Sequence, residues 1–342
     1  MTKFILKFGP PLLGAGCLII LSLLITDQPW SGALFHNPNL QTFKTLFLSL
    51  LLETFPFILL GVLFSALLQV FVTDDTIRRF TPKGPVTGVL FGALLGLLFP
   101  LCECGMIPVV RRLIRKGMPA YIGIVYLVAG PIVNPIVFTS TYSAFRSAPI
   151  IAYSRIGLAL VISVIIGMLF YRFMRSSPLK EEHKTVFIHE EAHHHGAAQT
   201  SSSIRPGWGY RLSATLGHAS DEFFEMGKYL IFGAMLTAVI QTFIDKSVLT
   251  AVADQPLFSY LFMMGLAFLL SLCSTSDAFI AASFNGIFGT GPLLAFLVFG
   301  PMIDLKNTMM LLSAFKLKIV AALIALTFAL VLAGAWLMEA FL

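Results

Sequence analysis

Charge is what this chain has least of. Only 12% of its 342 residues are Asp, Glu, Lys or Arg, about half the share of an ordinary soluble domain. A water-soluble fold of this length needs more polar surface than 23 basic and 17 acidic residues supply. Four cysteines are too few for a disulfide scaffold. The GxxxxGK(S/T) phosphate loop, the GxGxxG dinucleotide turn, the GxSxG nucleophile elbow and the CxxCH haem box are all missing. Their absence removes ATP hydrolysis by the chain itself, dinucleotide chemistry, elbow-type hydrolysis and covalent haem, and no enzyme is expected. What is plentiful is apolar: 57% of the residues are AVILMFWYC, and mean hydropathy is +0.87. These residues come in long blocks near the roughly 20 residues that span a bilayer. The chain therefore reads as an all-α polytopic membrane protein. Its net charge of +6 is loop charge, not a nucleic-acid footprint.

Apolar length predicts membrane helices near 10–26, 44–73, 118–140, 148–174, 224–246, 291–310 and 316–341. The first follows Lys3 and Lys7 but lacks a convincing cleavage site, so it reads as an uncleaved extra N-terminal span. Two further segments are unusual. Residues 86–101 are apolar but short, and residues 105–117 carry Arg111, Arg112, Arg115 and Lys116. Each of those charges costs a few kcal/mol at a bilayer centre, which argues against a crossing. Reading 86–116 as a re-entrant hairpin puts the N-terminus, both arginine clusters and the 175–215 loop on the cytoplasmic side, with Arg146 the main exception. A complete span at 86–104 followed by a basic loop is the alternative.

The chain also repeats itself. LLETFPFILLGVLFSALLQVF (51–71) aligns with FFEMGKYLIFGAMLTAVIQTF (223–243), Leu101-Cys102 with Leu272-Cys273, GPIVN (130–134) with GPMID (300–304), and SAFR (143–146) with SAFK (313–316). The offset stays between 170 and 172, a constancy that chance similarity of apolar segments rarely gives. With the hairpin, each half has an odd number of crossings, so the halves insert in opposite senses. The expected architecture is two inverted repeats with broken helices and re-entrant hairpins, about 8–10 membrane helices in all. Its parts are an anchor and external loop (1–43), a first permease repeat (44–174), a cytoplasmic His-rich linker (175–215) and a second repeat (216–342).

Chemistry concentrates at FPLCECGMIP (99–108) and its repeat partner SLCSTSDAF (271–279). Proline, glycine, cysteine and acid together break a helix inside the membrane. If the two tips meet, Cys102, Glu103, Cys104, Cys273, Ser274, Ser276 and Asp277 converge, a donor set suited to soft ions such as zinc, copper(I) or trivalent arsenic. Small buried filler is the alternative reading of these cysteines. Asn134 and Asp304 occupy matching positions after Gly130-Pro131 and Gly300-Pro301, where unwound backbone would aim them inward. Gly105 and Pro108 join those Gly-Pro pairs as expected helix breakers. Glu53 and Glu225 form a symmetric pair of acids, candidates for proton relay or for ion pairing, the latter with Lys228. The linker holds His183, His189, His193, His194 and His195 among acids, either a loose metal-gathering arm or a solvated connector.

At LCECGMIPVVRRLIRKGMP (101–119) and VAGPIVNP (128–135) the sequence resembles the bacterial predicted-permease family that includes the ArsP organoarsenical efflux permeases. Within that family it is similar to a subgroup with C-E-C-G, GPIVNP and C-S-x-S-D motifs, here Cys102 to Gly105, Gly130 to Pro135 and Cys273 to Asp277. The resemblance implies a multi-pass permease of the bacterial inner (cell) membrane that works with a second, smaller membrane subunit in a setting suggestive of zinc. Glu103 and Asp277 depart from the arsenical exporters by adding negative charge, which suits a divalent cation better. The expectation is an inner-membrane permease for a soft metal or metalloid ion, divalent zinc-like before trivalent arsenical. No resident cofactor is required and the metal is the cargo. A non-transporting subunit of a two-component complex, and a permease for a small sulfur-containing or anionic solute, are the alternatives.

Overall fold

A computed structural model describes residues 38–82, 84–99, 101–174, 178–179, 208–243 and 256–340. The expected anchor at 10–26 and the five linker histidines lie outside the described residues. Every regular element among the described residues is a helix, and only isolated bridges such as Leu179 with Phe315 interrupt the pattern. In chain order the first half holds α1 (Pro38–Phe71), α2 (Asp74–Phe80), α3 (Pro85–Leu98), α4 (Glu103–Arg115), α5 (Ala120–Ala129), α6 (Pro135–Ala144) and α7 (Ile150–Phe173). The second holds α8 (Trp208–Phe243), α9 (Pro256–Leu270), α10 (Asp277–Ser283), α11 (Thr290–Met302), α12 (Leu305–Ala314) and α13 (Leu317–Glu339).

Among the described residues, five stretches are long and apolar enough to cross a bilayer: Leu40–Leu68, Ile150–Phe173, Glu222–Thr242, Thr290–Ala314 and Leu317–Glu339. A sixth arises if α2 and α3, bent by 111° at their junction, count as one broken span. Much of the remaining apolar sequence among the described residues is cut into half-length helices, and the expected span at 10–26 lies outside them. The 118–140 block, read as one span, is divided at Gly130–Asn134 into α5 and α6. Helix α9 was not among the predicted spans, and α8 begins at Trp208, inside the segment read as linker.

Burial sorts the helices. The Thr290–Ala314 stretch is 94% buried by protein, whereas the other four long stretches are 28–39% buried. Residues such as Leu52, Leu60, Leu97 and Trp336 face outward, as lipid-contacting positions do. The half-helices α4, α5, α11 and α12 therefore form the interior, and α1, α7, α8 and α13 form much of the jacket around it.

Close helix approach comes from small residues, since lipid leaves apolar side chains little drive to seek one another. Along α3, Gly92 and Gly96 face α5. A Cβ at Gly92 would lie 2.8 Å from the Ile122 carbonyl, and one at Gly96 2.6 Å from Gly130 Cα. Helices α1 and α8 run antiparallel: Phe55 meets Phe223 edge-on at 5.3 Å, while Phe47 and Leu50 cluster with Ala234 and Ala238.

Candidate functional site

The first tip forms where α3 ends at Leu98 and the chain turns into α4. Tyr126 Oη donates to the Phe99 carbonyl at 3.3 Å, holding this extended stretch. Cys102 is the N-cap of α4 in extended conformation, and its carbonyl accepts from Gly105 N at 3.0 Å and Met106 N at 3.1 Å. The break therefore precedes Cys102. Gly105 and Pro108, expected as breakers, lie inside α4. Gly105 instead admits α1, since a Cβ there would fall 3.0 Å from the Phe57 carbonyl oxygen. Proline at 108 has no N–H to offer the preceding turn, and its own carbonyl accepts from Ser65 Oγ at 3.3 Å.

The second tip is built the same way. Helix α9 ends at Leu270, and Ser271 adopts φ 47, the left-handed region that a non-glycine residue enters only when its surroundings enforce it. Those surroundings are visible. Gln241 Nε2 donates to Leu270 O at 2.6 Å, Lys306 Nζ to Ser271 O at 3.4 Å, Lys306 N to Ser271 Oγ at 3.3 Å, and Ser140 Oγ to Thr275 O at 2.6 Å. The Cys273 carbonyl then accepts from Ser276 N at 2.9 Å and Asp277 N at 3.0 Å, opening α10. Carbonyls freed by unwinding are thus met by side chains from α6, α8 and α12, as buried backbone requires.

Cys102, Cys104 and Cys273 are free thiols. Cys104 and Glu103 are each 3% exposed, and Cys102 and Cys104 interact electrostatically with one another. Cys273 lies in the electrostatic field of Glu103 and Glu53, while Lys306 feels Cys104, Asp304, Glu103 and Glu53. The expected set Cys102, Glu103, Cys104, Cys273 and Asp304 thus shares one electrostatic neighbourhood, together with Glu53 on the more exposed α1. Among the described residues, no three His, Cys, Asp or Glu side chains are arranged to hold a metal ion.

Asp277 has a different environment. Its Oδ2 accepts from Arg155 Nη2 at 2.7 Å, and the same guanidinium donates to Thr141 Oγ1 at 2.6 Å and Ser274 O at 3.3 Å. Both partners of this pair are almost fully buried. The extra negative charge read at Asp277 is therefore matched by Arg155. Ser274 is buried and Ser276, the N-cap of α10, is half-buried.

The second pair of breaks differs between the halves. Gly130 and Pro131 occupy the turn between α5 and α6. Gly300 and Pro301 lie in the last turn of α11, and the chain breaks just after them at Ile303–Asp304. Proline there removes a donor but does not unwind the turn behind it. Asn134 and Asp304 are both N-caps: Asn134 Oδ1 accepts from Ile136 N at 2.9 Å, and Asp304 Oδ1 from Asn307 N at 2.5 Å. Glu225 accepts from Arg111 Nη1 at 2.8 Å and Nη2 at 3.2 Å, so its ionic partner is Arg111; Lys228 stands over the Tyr229 ring. Glu222 pairs with Arg112 at 3.3 Å and accepts from Ser65 at 2.8 Å. Arg111 and Arg112 of α4 are thereby matched by acids of α8.

Arg155, Lys306 and Glu222 were not singled out from sequence. A lone base inside an apolar block was the available signal for the first two, since such a charge is retained only with a partner. The linker also spells His189-Glu190-Glu191-Ala192-His193, which coincides with the HExxH pattern of zinc proteases and falls outside the described residues.

Unwound helices, capped tips and paired intramembrane charges in an all-α polytopic chain define a membrane-transport architecture. The predicted-permease family ArsP_1 matches residues 39–340, and the chain belongs to that family. It is 47% identical over 297 residues to the UPF0718 protein YcgR of Bacillus subtilis, covering 86% of this chain and 96% of that protein. It is 38% identical over 275 residues to a putative two-component membrane permease complex subunit of Streptococcus mutans, covering 80% of this chain and 87% of the relative. No solved structure matches it. The chain is thus a multi-pass membrane permease of a bacterial family and not an enzyme.

Proposed function

We propose that this permease moves a soft, thiophilic metal or metalloid ion across the bacterial cell membrane, taking it at the two broken tips through Cys102, Cys104 and Cys273. The observation that supports the reading is the mutual electrostatic influence of the free thiols with Glu53, Glu103, Asp304 and the ammonium of Lys306. Thiols select soft ions and surplus carboxylate favours a cation, so zinc-like divalent ions come before trivalent arsenicals. With Asp277 matched by Arg155, the surplus rests on the other three acids.

Two inverted repeats, 44–174 and 216–342, frame this site. The reading is supported by the antiparallel contact of the repeat mates α1 and α8. It is also supported by the equivalent Cys102 and Cys273 carbonyls, each accepting from the third and fourth residues onward. The N-terminus faces the cytoplasm, and the linker histidines gather metal there. A second, smaller membrane subunit completes the complex, as the printed name of the Streptococcus relative suggests. Lys306 in the first turn of α12 favours a second reading, a small sulfur-containing anion.

Protection of the thiols tests the choice. Membranes carrying the protein are treated with a small permeant thiol reagent, and modification of Cys102, Cys104 and Cys273 is read by mass spectrometry. Zinc or a trivalent arsenical should slow all three together, and Glu103→Gln should weaken protection by zinc. Equal labelling with and without either metal removes the thiophilic-ion reading, and protection by a sulfur-containing anion alone selects the second.

A further inference from the structure

We infer that the first turn of α12 and the start of α4 form a second, oxygen-only site for a small monovalent cation, sodium by its chemistry, beside the thiols. Four side chains carry the inference. Asp304, Asn307, Thr308 and Glu103 are 1%, 3%, 7% and 3% exposed, and each has an oxygen with no hydrogen-bond partner: Oδ2, Oδ1, Oγ1 and Oε1 respectively. Three of them fall on one turn of α12, where positions three and four apart share a face. The fourth opens α4, which packs against α12, and Glu103 and Asp304 act on each other electrostatically.

Buried oxygens without donors are costly, and their grouping needs something that all four can face. A proton on one carboxylate would satisfy that group and leave the amide and hydroxyl oxygens as they are. A hard cation serves all four, because carboxylate, amide and hydroxyl oxygens are its preferred ligands. Charge selects a monovalent ion. Lys306 offsets one of the two buried carboxylates, and its ammonium is directed to the Ser271 carbonyl at 3.4 Å. One negative charge remains, which sodium balances and a divalent ion would overshoot. Asp304 also spends its other oxygen on the Asn307 amide, which fixes the turn. Glu103 is flanked in sequence by Cys102 and Cys104 and interacts electrostatically with both Cys102 and Asp304, so occupancy here bears on the carboxylate beside the thiols. The inference draws on Glu103 and Asp304, which the cargo reading also uses, and its test reads sodium binding with no cargo present.

The test uses the purified full chain in detergent with no cargo present, titrated with sodium chloride against choline chloride at constant ionic strength. Thermal unfolding and binding of radiolabelled sodium are the readouts. Sodium should bind saturably and raise the unfolding midpoint, and potassium should do so much less. Asp304→Asn retains a capping side chain, since Asn134 fills that role at the matching position, and Thr308→Val keeps the shape of the side chain. Each should weaken half-saturation by about tenfold or more, the loss that even a supporting group causes at metal sites. Cys102→Ser should bind sodium like the parent. Absence of saturable sodium binding, equal stabilisation by potassium, an effect of lowered pH alone, or unchanged affinity in both variants would overturn the inference. None of those results bears on thiol protection.

Discussion

Replacing Arg155 with methionine should be among the most damaging single changes in the protein, and the reason lies in what the guanidinium leaves behind. Its three bonds reach Asp277 Oδ2 at 2.7 Å, Thr141 Oγ1 at 2.6 Å and Ser274 O at 3.3 Å, with Arg155 1% exposed. Asp277 Oδ1 already lacks a partner, so the variant strands an entire carboxylate away from water. Removing one member of a buried ion pair costs about 3–5 kcal/mol. At roughly 1.4 kcal/mol per decade, that is two to three and a half orders of magnitude in the folding equilibrium. A titration with denaturing detergent, followed by circular dichroism, reads the loss. The pair itself contributes far less, because apolar replacements of similar volume leave no stranded charge. Arg155→Met combined with Asp277→Leu should therefore recover to within about 1–2 kcal/mol of the parent. An additive loss in the double variant, or a single-variant cost below about 1 kcal/mol, would refute the reasoning.

Three further outcomes follow from the same geometry. Gly61→Ala should destabilise by about 1–3 kcal/mol, because its Cβ would sit 2.5 Å from Gly105 backbone, while Gly157→Ala, with open space around it, should be neutral in the same titration. Arg111→Glu should impair folding, and combining it with Glu225→Arg should restore expression and stability if the α4–α8 contact is carried by that pair. Asn134→Ala should cost about 1 kcal/mol through the lost cap, whereas Asn134→Asp, the residue at the matching position of the second half, should cost little.

Block length made the jacket legible. The expected span 148–174 became Ile150–Phe173, and 316–341 became Leu317–Glu339, because a lipid-facing helix shows its apolar length directly. The interior was harder to read. Hydropathy averages over a break, so 118–140 looked like one span, although Gly130–Asn134 divides it. A glycine-proline pair signals a break without fixing its residue. The chain unwinds at Gly130-Pro131, but just beyond Gly300-Pro301, where the Asp304 cap restarts the helix. The helix breaks next to Cys102 and Cys273 were legible because proline, glycine, cysteine and acid, or serine and acid, cluster there in the sequence. Arg155 and Lys306 could not be found by the same route, since one charge scarcely lowers the mean hydropathy of a long apolar block. Their partners lie 122 and 35 positions away, at Asp277 and Ser271, a distance that periodicity does not reach.

The central claim, that a soft ion passes the thiol tips, is tested most directly by a multi-element mass-spectrometric inventory. Cells carrying the chain are compared with cells lacking it and with cells carrying Cys102→Ser inserted at equal level. A change in one thiophilic metal or metalloid that reverts in the Cys102→Ser cells is expected, with its sign giving the direction of transport. Identical element contents in all three, or a change that persists in Cys102→Ser, would contradict it.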